Sequence, residues 1–419
     1  MNRRVMYGFK DFISLDEAIK KFRENIKICN LIEYIDVKDS LGRISSEDLF
    51  SPIDLPNENR SVVDGYAVRS IDVSGASPNN PIQLKIVGKV YADKRYNEKI
   101  IKNQAVVIFT GGYVPDGADC VLMAEDCKVD GDELIVYKQC FPLQNISKKG
   151  EDFGKGDLVI KRGTKIKPFH IGALLSLGIK KINVYVKARI AVIATGSEIH
   201  DIDEDMEGII DSTRPMILSL IKDFGLIPVD MGIVPDDPEM IKTKIIESLK
   251  KSDMVVITGG TSVGEHDLVP DLLESITSPG IIVHGISMRP ARTTGFAFNG
   301  NIPILMISGF PVAAYISFNI FLKEFVEKFY GTTIDPTPIV KGRLTMRLPN
   351  QAGTKSFVRV VVKRINNEYY VEPLRLTGSG ILSTLTKANG ILVVDENSEG
   401  FEEGEYVDVI LTQPPEVGK

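Results

Sequence analysis

The stretch that decides the fold is MVVITGGTSVGEHD, residues 254–267, in which an apolar run leads directly into paired glycines. The run Met254 to Thr258 predicts a buried β-strand. Glycines at a strand end let backbone N–H groups approach a phosphate, and a following helix terminus adds a favourable partial charge. The stretch matches neither GxxxxGK[ST] nor GxGxxG, which excludes the P-loop and dinucleotide motifs. An ordinary glycine turn is the competing interpretation.

The neighbouring segments alternate between apolar strands and capped helices. RIAVIAT, GLIPVDMGIV and IPILMIS read as strands. Asp211-Ser212 and Asp237-Pro238 are typical helix starts, and Pro311 opens an apolar helix that ends near Gly331. Strands that alternate with helices predict a doubly wound, parallel α/β domain over 188–331. Such a sheet binds its ligand at the carboxyl ends of its strands.

The flanking regions predict three further domains in an α/β multidomain protein. Ser14 to Glu17 is a capping box, which predicts a helix to about Cys29. We expect a helical or mixed N-terminal domain at 1–50 and 141–187, with an irregular β-rich domain, 51–140, inserted in it. A small β-barrel-like C-terminal domain is expected at 336–415.

Composition limits the classes of function. The net charge is −6, from 50 basic and 56 acidic residues, which argues against a nucleic-acid binder. We find no secretory h-region and no clean apolar run of about 20 residues, so we expect a cytoplasmic protein with no membrane span. The four cysteines form no CxxC pair, and we expect reduced thiols that act as small apolar residues.

Carboxylates follow several turn glycines and strand ends. Glu198, Asp236 and Asp267 follow predicted strands, and Asp64 and Asp152 stand beside glycines. Any one of them can be a cap or turn former. Several at one edge of a sheet would instead suit Mg²⁺, which takes oxygen ligands and bridges to substrate phosphates.

Two arginines lie in SMRPARTTG, residues 287–295. The guanidinium groups of Arg289 and Arg292 suit bidentate capture of a phosphate. A solvated surface pair is the commoner alternative.

Together these stretches resemble the MoeA / gephyrin E-domain family along nearly the whole chain. Eight segments match family motifs in the right order: the segment ending in DGYA, TGG with PDGADCVLMAED, GEDFGKGD, TGSE, IIDSTRPMI, TGGTSVGEHD, GTKSFVRV and LTGSGILSTLTKANG. The resemblance implies a molybdopterin molybdenumtransferase that takes adenylylated molybdopterin and molybdate, uses Mg²⁺ and releases AMP. It also implies a homodimer, and a molybdopterin adenylyltransferase is a candidate partner.

The resemblance also implies roles for individual residues. Asp64, Thr110, Asp152, Glu198, Asp236 and Asp267 would line the cleft, the first three reaching across from a second subunit. Glu198, Asp236 and Asp267 would hold or orient Mg²⁺. Further binding residues would be Gly259, Gly260, Ser262 and Gly264 for phosphate or pterin, Arg214, Arg289 and Arg292 for anionic groups, and Pro311.

Two segments depart from the family pattern. Where the family commonly has KPGKP, this chain has Arg289-Pro290-Ala291-Arg292-Thr293, and where it has PGNP, this chain has Ser308-Gly309-Phe310-Pro311. A preference for tungstate over molybdate is therefore open, as is a paralogue that binds molybdopterin as a scaffold without inserting metal. A third alternative uses the α/β domain alone, as in molybdopterin adenylyltransferases and competence-damage-type hydrolases, but the flanking β domains match neither.

Overall fold

The structure is a computed structural model that describes residues 12–203, 207–260, 268–374, 378 and 380–418. The chain divides into two compact units. Unit 1 consists of Met1–Glu33, Gly42–Ile44 and Tyr185–Lys419, and unit 2 of Tyr34–Leu41 and Ser45–Val184. Unit 2 is therefore inserted, in sequence, within unit 1.

Seven α-helices and twenty-nine strands form within the described residues. The helices α1 to α7 are Leu15–Asn25, Pro168–Ser176, Thr213–Asp223, Pro238–Leu249, Val269–Ile276, Pro311–Tyr330 and Ser383–Lys387. The strands β1 to β12 are Ile32–Asp36, Leu49–Phe50, Arg60–Ser61, Gly65–Val68, Ile82–Val90, Gln104–Ile108, Cys120–Met123, Cys127–Asp130, Glu133–Val136, Ile146–Ser147, Leu158–Ile160 and Lys181–Tyr185. Strands β13 to β21 are Arg189–Thr195, Ile199–His200, Ile209–Ile210, Ile227–Val234, Met254–Thr258, Pro279–His284, Met288–Arg289, Gly295–Asn299 and Ile302–Ile307. Strands β22 to β29 are Ile339–Leu344, Leu348–Pro349, Lys355–Ile365, Glu368–Pro373, Gly390–Val394, Gly400–Phe401, Tyr406–Leu411 and Glu416–Val417.

The centre of unit 1 is a six-stranded sheet with the order β16-β13-β17-β21-β20-β18. The first four strands are parallel, as the alternation of strands and helices predicts. Strands β20 and β18 run antiparallel at one edge, which the sequence analysis did not anticipate. The short connection after Asn299 explains this, because Asn299 pairs with Ile302 and a hairpin of that length reverses the chain.

Both faces of this sheet are covered, so the sheet is doubly wound. On one face, Ile190 and Val192 of β13 pack with buried residues of α1, α3 and α6. On the other face, Ala191 and Ile193 pack with α4 and α5. The alternation of side chains along β13 thus divides one strand between two cores.

The C-terminal part of unit 1 is a small closed barrel, as predicted. Strands β24, β25, β22, β28 and β26 follow one another around it, and β26 pairs back to β24. The interior is filled by apolar side chains such as Leu344, Val360 and Val409. Strand β19 of the preceding segment pairs with β24, which attaches the barrel to the α/β sheet within unit 1.

Unit 2 is largely β-structure. Its main sheet has the order β7-β4-β6-β5-β9-β8, in which only β5 and β6 pair in parallel. Helix α2 contributes Leu174 to a separate small core with Ile160 and Ile166. The short strands and many turns agree with the predicted irregular β-rich region.

Helix α1 is shorter than predicted. Ser14 Oγ accepts a hydrogen bond from the backbone N–H of Glu17 at 3.2 Å, which confirms the cap. The helix ends at Asn25 rather than near Cys29, because Ile26 is extended and the N–H of Cys29 donates to Phe329 O at 2.6 Å. A contact with a segment 300 residues away has no local sequence signal.

The expectation that all cysteines are reduced is wrong for two of them. Cys120 and Cys140 form a disulfide, and both are buried in the core of unit 2. They are 20 residues apart in sequence and are brought together only by the strands between them, so their spacing gave no signal. Cys29 and Cys127 are free thiols. Among the residues described, no helix is long and apolar enough to cross a membrane.

Candidate active site

The carboxyl ends of three neighbouring parallel strands open into one cavity of unit 1. Strands β13, β17 and β21 lie side by side, with Ala194 paired to Thr258 and Thr258 to Ile307. Glycines follow each of these strands, and they line a cavity of about 1170 Å³. The position is the one that a doubly wound sheet offers a ligand.

The glycines at the end of β17 have no room for a side chain. Gly259 has a φ of +85°, and a Cβ there would lie 2.4 Å from Thr195 O. Gly260 has a φ of +58°, and its Cβ would lie 2.9 Å from Thr195 Oγ1. The turn after β17 therefore requires glycine at both positions. The amide of Gly259 donates to Ile307 O at 3.2 Å, and the binding of a phosphate at this turn stays a prediction.

Two of the predicted metal ligands lie at the cavity. The ends of β13 and β16 are tied together, since Ser197 N donates to Asp236 Oδ2 and Asp236 N donates to Ser197 Oγ, each at 3.0 Å. The backbone oxygen of Glu198 accepts from Ile209 N at 2.9 Å. Both carboxylates line the cavity. Among the described residues, no group of three His, Cys, Asp or Glu side chains is placed to hold a metal.

Three predicted site residues, Ser262, Gly264 and Asp267, lie outside the described residues. Pro311 occupies the first position of α6 and lines the cavity.

Arg214, which we expected to bind an anionic group, already has three acidic partners. Its guanidinium, on α3, is 5% exposed and forms ion pairs with Asp201, Asp211 and Asp230. Asp211 also accepts from Thr213 N and Arg214 N, at 3.1 and 3.0 Å, and so caps α3. Three carboxylates thus surround this cation, and a contact between Arg214 and an anionic ligand stays a prediction.

Arg289 and Arg292 line the cavity, as expected for residues that bind an anion. Arg289 lies on β19, whose pairing with β24 sets its position. The guanidinium of Arg292 lies 3.8 Å from the centroid of the Phe12 ring. Stacking on an aromatic face holds a guanidinium plane without neutralising its charge.

Sequence reasoning missed a further cation at the cavity, Arg359. It is 3% exposed, on β24, and donates from Nε to Thr384 Oγ1 at 3.3 Å and from Nη1 to Phe357 O at 3.2 Å. Burial, together with the nearby charge of Arg289, lowers the pKa of Arg359. The signal in the sequence was the stretch SFVRV, in which Arg359 occupies a strand position where an apolar side chain would be expected.

The remaining predicted residues belong to unit 2. Asp64 Oδ1 accepts from Thr110 N at 2.7 Å and from Thr110 Oγ1 at 2.9 Å. Both hydrogen bonds lower the pKa of Asp64, and the bond from the backbone amide of Thr110 has the larger effect. The N–H of Asp152 donates to Leu55 O at 3.0 Å. The structure therefore brings Asp64 and Thr110 together within unit 2.

Family models match three successive parts of the chain. These are the MoeA N-terminal region (domain I and II) at residues 13–178, the "probable molybdopterin binding domain" at 191–328 and the MoeA C-terminal region (domain IV) at 341–412. The chain belongs to the MoeA family. The cavity described above lies at strand ends of the second of these matches, with Arg359 contributed by the third.

Relatives in the MoeA family match over nearly their whole length. A Methanocaldococcus jannaschii protein named for molybdopterin biosynthesis is 39% identical, over 94% of this chain and 96% of its own. The molybdopterin molybdenumtransferase of Staphylococcus epidermidis is 32% identical over 96% of each chain. The crystal structure of the molybdopterin biosynthesis MoeA protein of Pyrococcus horikoshii superposes with a TM-score of 0.84, at 31% identity, over 96% of this chain and all of that one. This MoeA chain is therefore an enzyme of the molybdopterin molybdenumtransferase family.

Proposed function

We propose that this enzyme inserts molybdate, or tungstate, into adenylylated molybdopterin in a Mg²⁺-dependent reaction that releases AMP. The observation that carries the proposal is the glycine-lined cavity at the ends of β13, β17 and β21, with cationic and acidic side chains on its rim. The names of the curated relatives support molybdopterin as the substrate.

The cavity suits a substrate that carries a pyrophosphate. The backbone amide of Gly260 would donate to a phosphate oxygen, whereas that of Gly259 donates to Ile307 O at 3.2 Å. Arg289, Arg292 and Arg359 supply positive charge that phosphate or a molybdate dianion requires. A volume of about 1170 Å³ exceeds the range of roughly 300–1,000 Å³ typical of small-ligand sites, which accommodates a large nucleotide-linked substrate.

The residues present fit Mg²⁺. This ion is commonly held by one or two carboxylates together with substrate phosphates and water, and Glu198 and Asp236 are two such carboxylates at the cavity. When bound, Mg²⁺ would neutralise charge on the pyrophosphate. Asp267 would join these two carboxylates in the proposed site.

The protein's own contribution is to position the reactants and to stabilise charge. The bonds between Ser197 and Asp236 hold one carboxylate in place before substrate arrives. The arginines would stabilise negative charge that develops as the phosphoanhydride is cleaved by molybdate or water. We propose no side-chain nucleophile, and the sulfurs that receive the metal belong to the pterin. Asp64, Thr110 and Asp152 are proposed to complete the site from a second subunit.

We propose that the enzyme is a cytoplasmic homodimer that receives its substrate from a molybdopterin adenylyltransferase. The four-domain division given above remains our proposal for the organisation of the chain. A molybdopterin-binding scaffold is the second candidate, favoured by Phe310 in place of the asparagine common in the family.

A reconstitution assay tests the proposal. The purified protein receives adenylylated molybdopterin, Mg²⁺ and either molybdate or tungstate, and AMP release and bound metal are both measured. We expect AMP release coupled to metal capture, with the better oxyanion identifying the metal. Both should fall by about 10²-fold or more in Glu198→Gln and Asp267→Asn.

Glu403→Gln is a matched control, because Glu403 is an exposed carboxylate outside the lining of the cavity. It should retain wild-type activity. Molybdopterin binding without AMP release under either oxyanion would contradict the transferase and favour the scaffold.

A further inference from the structure

The ring of Phe310 is a large aromatic surface inside the cavity. Phe310 precedes α6, lines the cavity and is 59% exposed. The phenylalanines nearby in the fold, such as Phe296, Phe318 and Phe321, are fully buried. An aromatic ring kept out of the core beside polar groups is typical of a ligand contact rather than of packing.

The backbone on both sides of Phe310 is held in place. Gly309 O accepts from Thr213 Oγ1 at 2.7 Å. Phe310 N donates to Ser308 Oγ at 3.1 Å, and Phe310 O accepts from Ala314 N at 2.9 Å. The ring is also backed at one edge, since a Cβ built on Gly380 would lie 3.1 Å from its Cδ1. The aromatic surface is therefore preorganised.

Phe310 stands next to the glycine cradle. A Cβ on Gly309 would lie 3.6 Å from the Cα of Gly259, so the segment that carries Phe310 passes directly beside the turn after β17. A phosphate at the turn of Gly259 and Gly260 would leave the rest of its molecule within reach of the ring. A phosphorylated ligand with a planar ring system matches this arrangement.

The residue is also a departure from the family pattern, in which an asparagine commonly precedes the proline. The N-cap residue Phe310 makes no side-chain hydrogen bond to α6. At this position the chain thus lacks a polar amide and presents an aromatic face. Such a face favours flat, polarisable rings.

We propose that Phe310 determines affinity for the substrate by stacking on a planar heteroaromatic ring, either the pterin or the adenine. The inference rests on the proposed function for the identity of these rings. The contact requires only the aromatic face of Phe310, whereas the proposed reaction depends on the carboxylates and cations around it.

Three variants test the role of the aromatic face. Phe310→Leu keeps an apolar side chain but removes the π face, Phe310→Asn introduces the residue typical of the family, and Phe310→Tyr keeps the face. The dissociation constants of AMP and of molybdopterin without its adenylyl group are measured separately, together with KM and kcat for the adenylylated substrate. Phe141→Leu is the matched control, because Phe141 is 61% exposed in unit 2.

We expect Phe310→Leu and Phe310→Asn to weaken binding of one probe by about 5- to 100-fold, the contribution of stacking one heterocycle on one aromatic ring. KM should rise by the same factor with less effect on kcat, and Phe310→Tyr should rescue both. The probe that loses affinity identifies the ring.

The proposal is overturned if both probes bind Phe310→Leu within about twofold of wild type. It is also overturned if Phe310→Tyr loses as much affinity as Phe310→Leu, because the role would then be steric. A wild type that binds a probe through Phe310 but releases no AMP would refute the proposed reaction and retain the stacking role. Normal AMP release with unchanged KM in Phe310→Leu would refute the stacking role and retain the proposed reaction.

Discussion

At the scale of single residues, the buried guanidinium of Arg214 holds one wall of the cavity together. It joins Asp211, which caps α3, to Asp230 on β16 and to Asp201, which follows β14. The same wall contains Ile209, whose N–H bonds to Glu198 O. The ion pairs of Arg214 and the backbone bond of a proposed metal ligand thus lie in the same wall of the cavity.

We expect Arg214→Met to destabilise unit 1 by about 2–4 kcal/mol. Breaking a buried ion pair costs about 3–5 kcal/mol, and the lower figure allows for the partial exposure of Asp201 and Asp230. Denaturant unfolding measures the change. Arg347→Met is the control, since Arg347 is 71% exposed and its loss should cost under about 0.5 kcal/mol. If Arg214→Met were as stable as wild type and only its KM were raised, the result would indicate that Arg214 binds an anionic group of the substrate.

A second prediction concerns Asp64, whose pKa is held low by Thr110. A carboxyl with a depressed folded-state pKa contributes stability above the ordinary value of about 3.9, and this is lost as the pH falls through the lower folded value. The difference in thermal midpoint between wild type and Asp64→Asn should therefore be constant from about pH 7 to pH 5 and shrink below about pH 4. A difference that shrinks between pH 7 and 5 would contradict this.

At the scale of elements, helix α1 is attached to the sheet by one aromatic cluster. The Phe22 ring centroid lies 5.1 Å from that of Phe296 on β20 and 5.0 Å from that of Phe321 on α6, and all three side chains are fully buried. Phe22 is the largest of the α1 side chains in this core, beside Leu15, Ala18 and the Arg23 ion pairs with Glu324 and Glu327.

Phe22→Ala should lower the free energy of unfolding by about 3–5 kcal/mol, the usual cost of emptying an aromatic site. Denaturant titration measures this, and α1 should gain hydrogen exchange. Phe169→Ala, at a position 67% exposed in unit 2, should change stability by under about 0.5 kcal/mol. Equal losses in both variants would show that α1 is not held by this cluster.

The elements also show what the sequence alone can predict. Asp237, Pro311 and Gly331 mark helix ends by local chemistry, and the structure has α4 and α6 where those residues indicate. The Cys120–Cys140 disulfide and the end of α1 depend on contacts between distant segments, which leave no periodic pattern. Gly259 and Gly260 were recognisable because they directly follow an apolar strand run, whereas their lack of space for a Cβ is seen only in the structure. Arg359 was missed because its burial at the cavity depends on how the barrel packs, and the three ion pairs of Arg214 likewise leave no sequence signal.

At the scale of the whole molecule, the proposed site residues are divided between the two units. Glu198 and Asp236 belong to unit 1, whereas Asp64 and Thr110 belong to unit 2. Because we propose that Asp64 and Thr110 act in the partner's site, two inactive variants, one changed in each unit, should restore activity when they are mixed.

Asp64→Ala and Glu198→Ala should each be inactive alone. After the two proteins are mixed and allowed to exchange subunits, about half of the dimers are mixed, and each of these has one intact site. We expect AMP release to recover to about a quarter of the wild-type value. Analytical ultracentrifugation should give a dimer for each variant. No recovery after proven subunit exchange would place all the residues of one site on one chain.

The insertion of unit 2 within unit 1 also has a consequence for biosynthesis on the ribosome. Helix α1 precedes unit 2 in the chain, but its partners Phe296 and Phe321 are translated only after the whole of unit 2. Unit 2 can fold around its own cores while the side chain of Phe22 on α1 still lacks its packing partners. The nascent chain therefore carries α1 without its sheet partners while the whole of unit 2 is synthesised, and the apolar face of this amphipathic helix is available to chaperones over that interval.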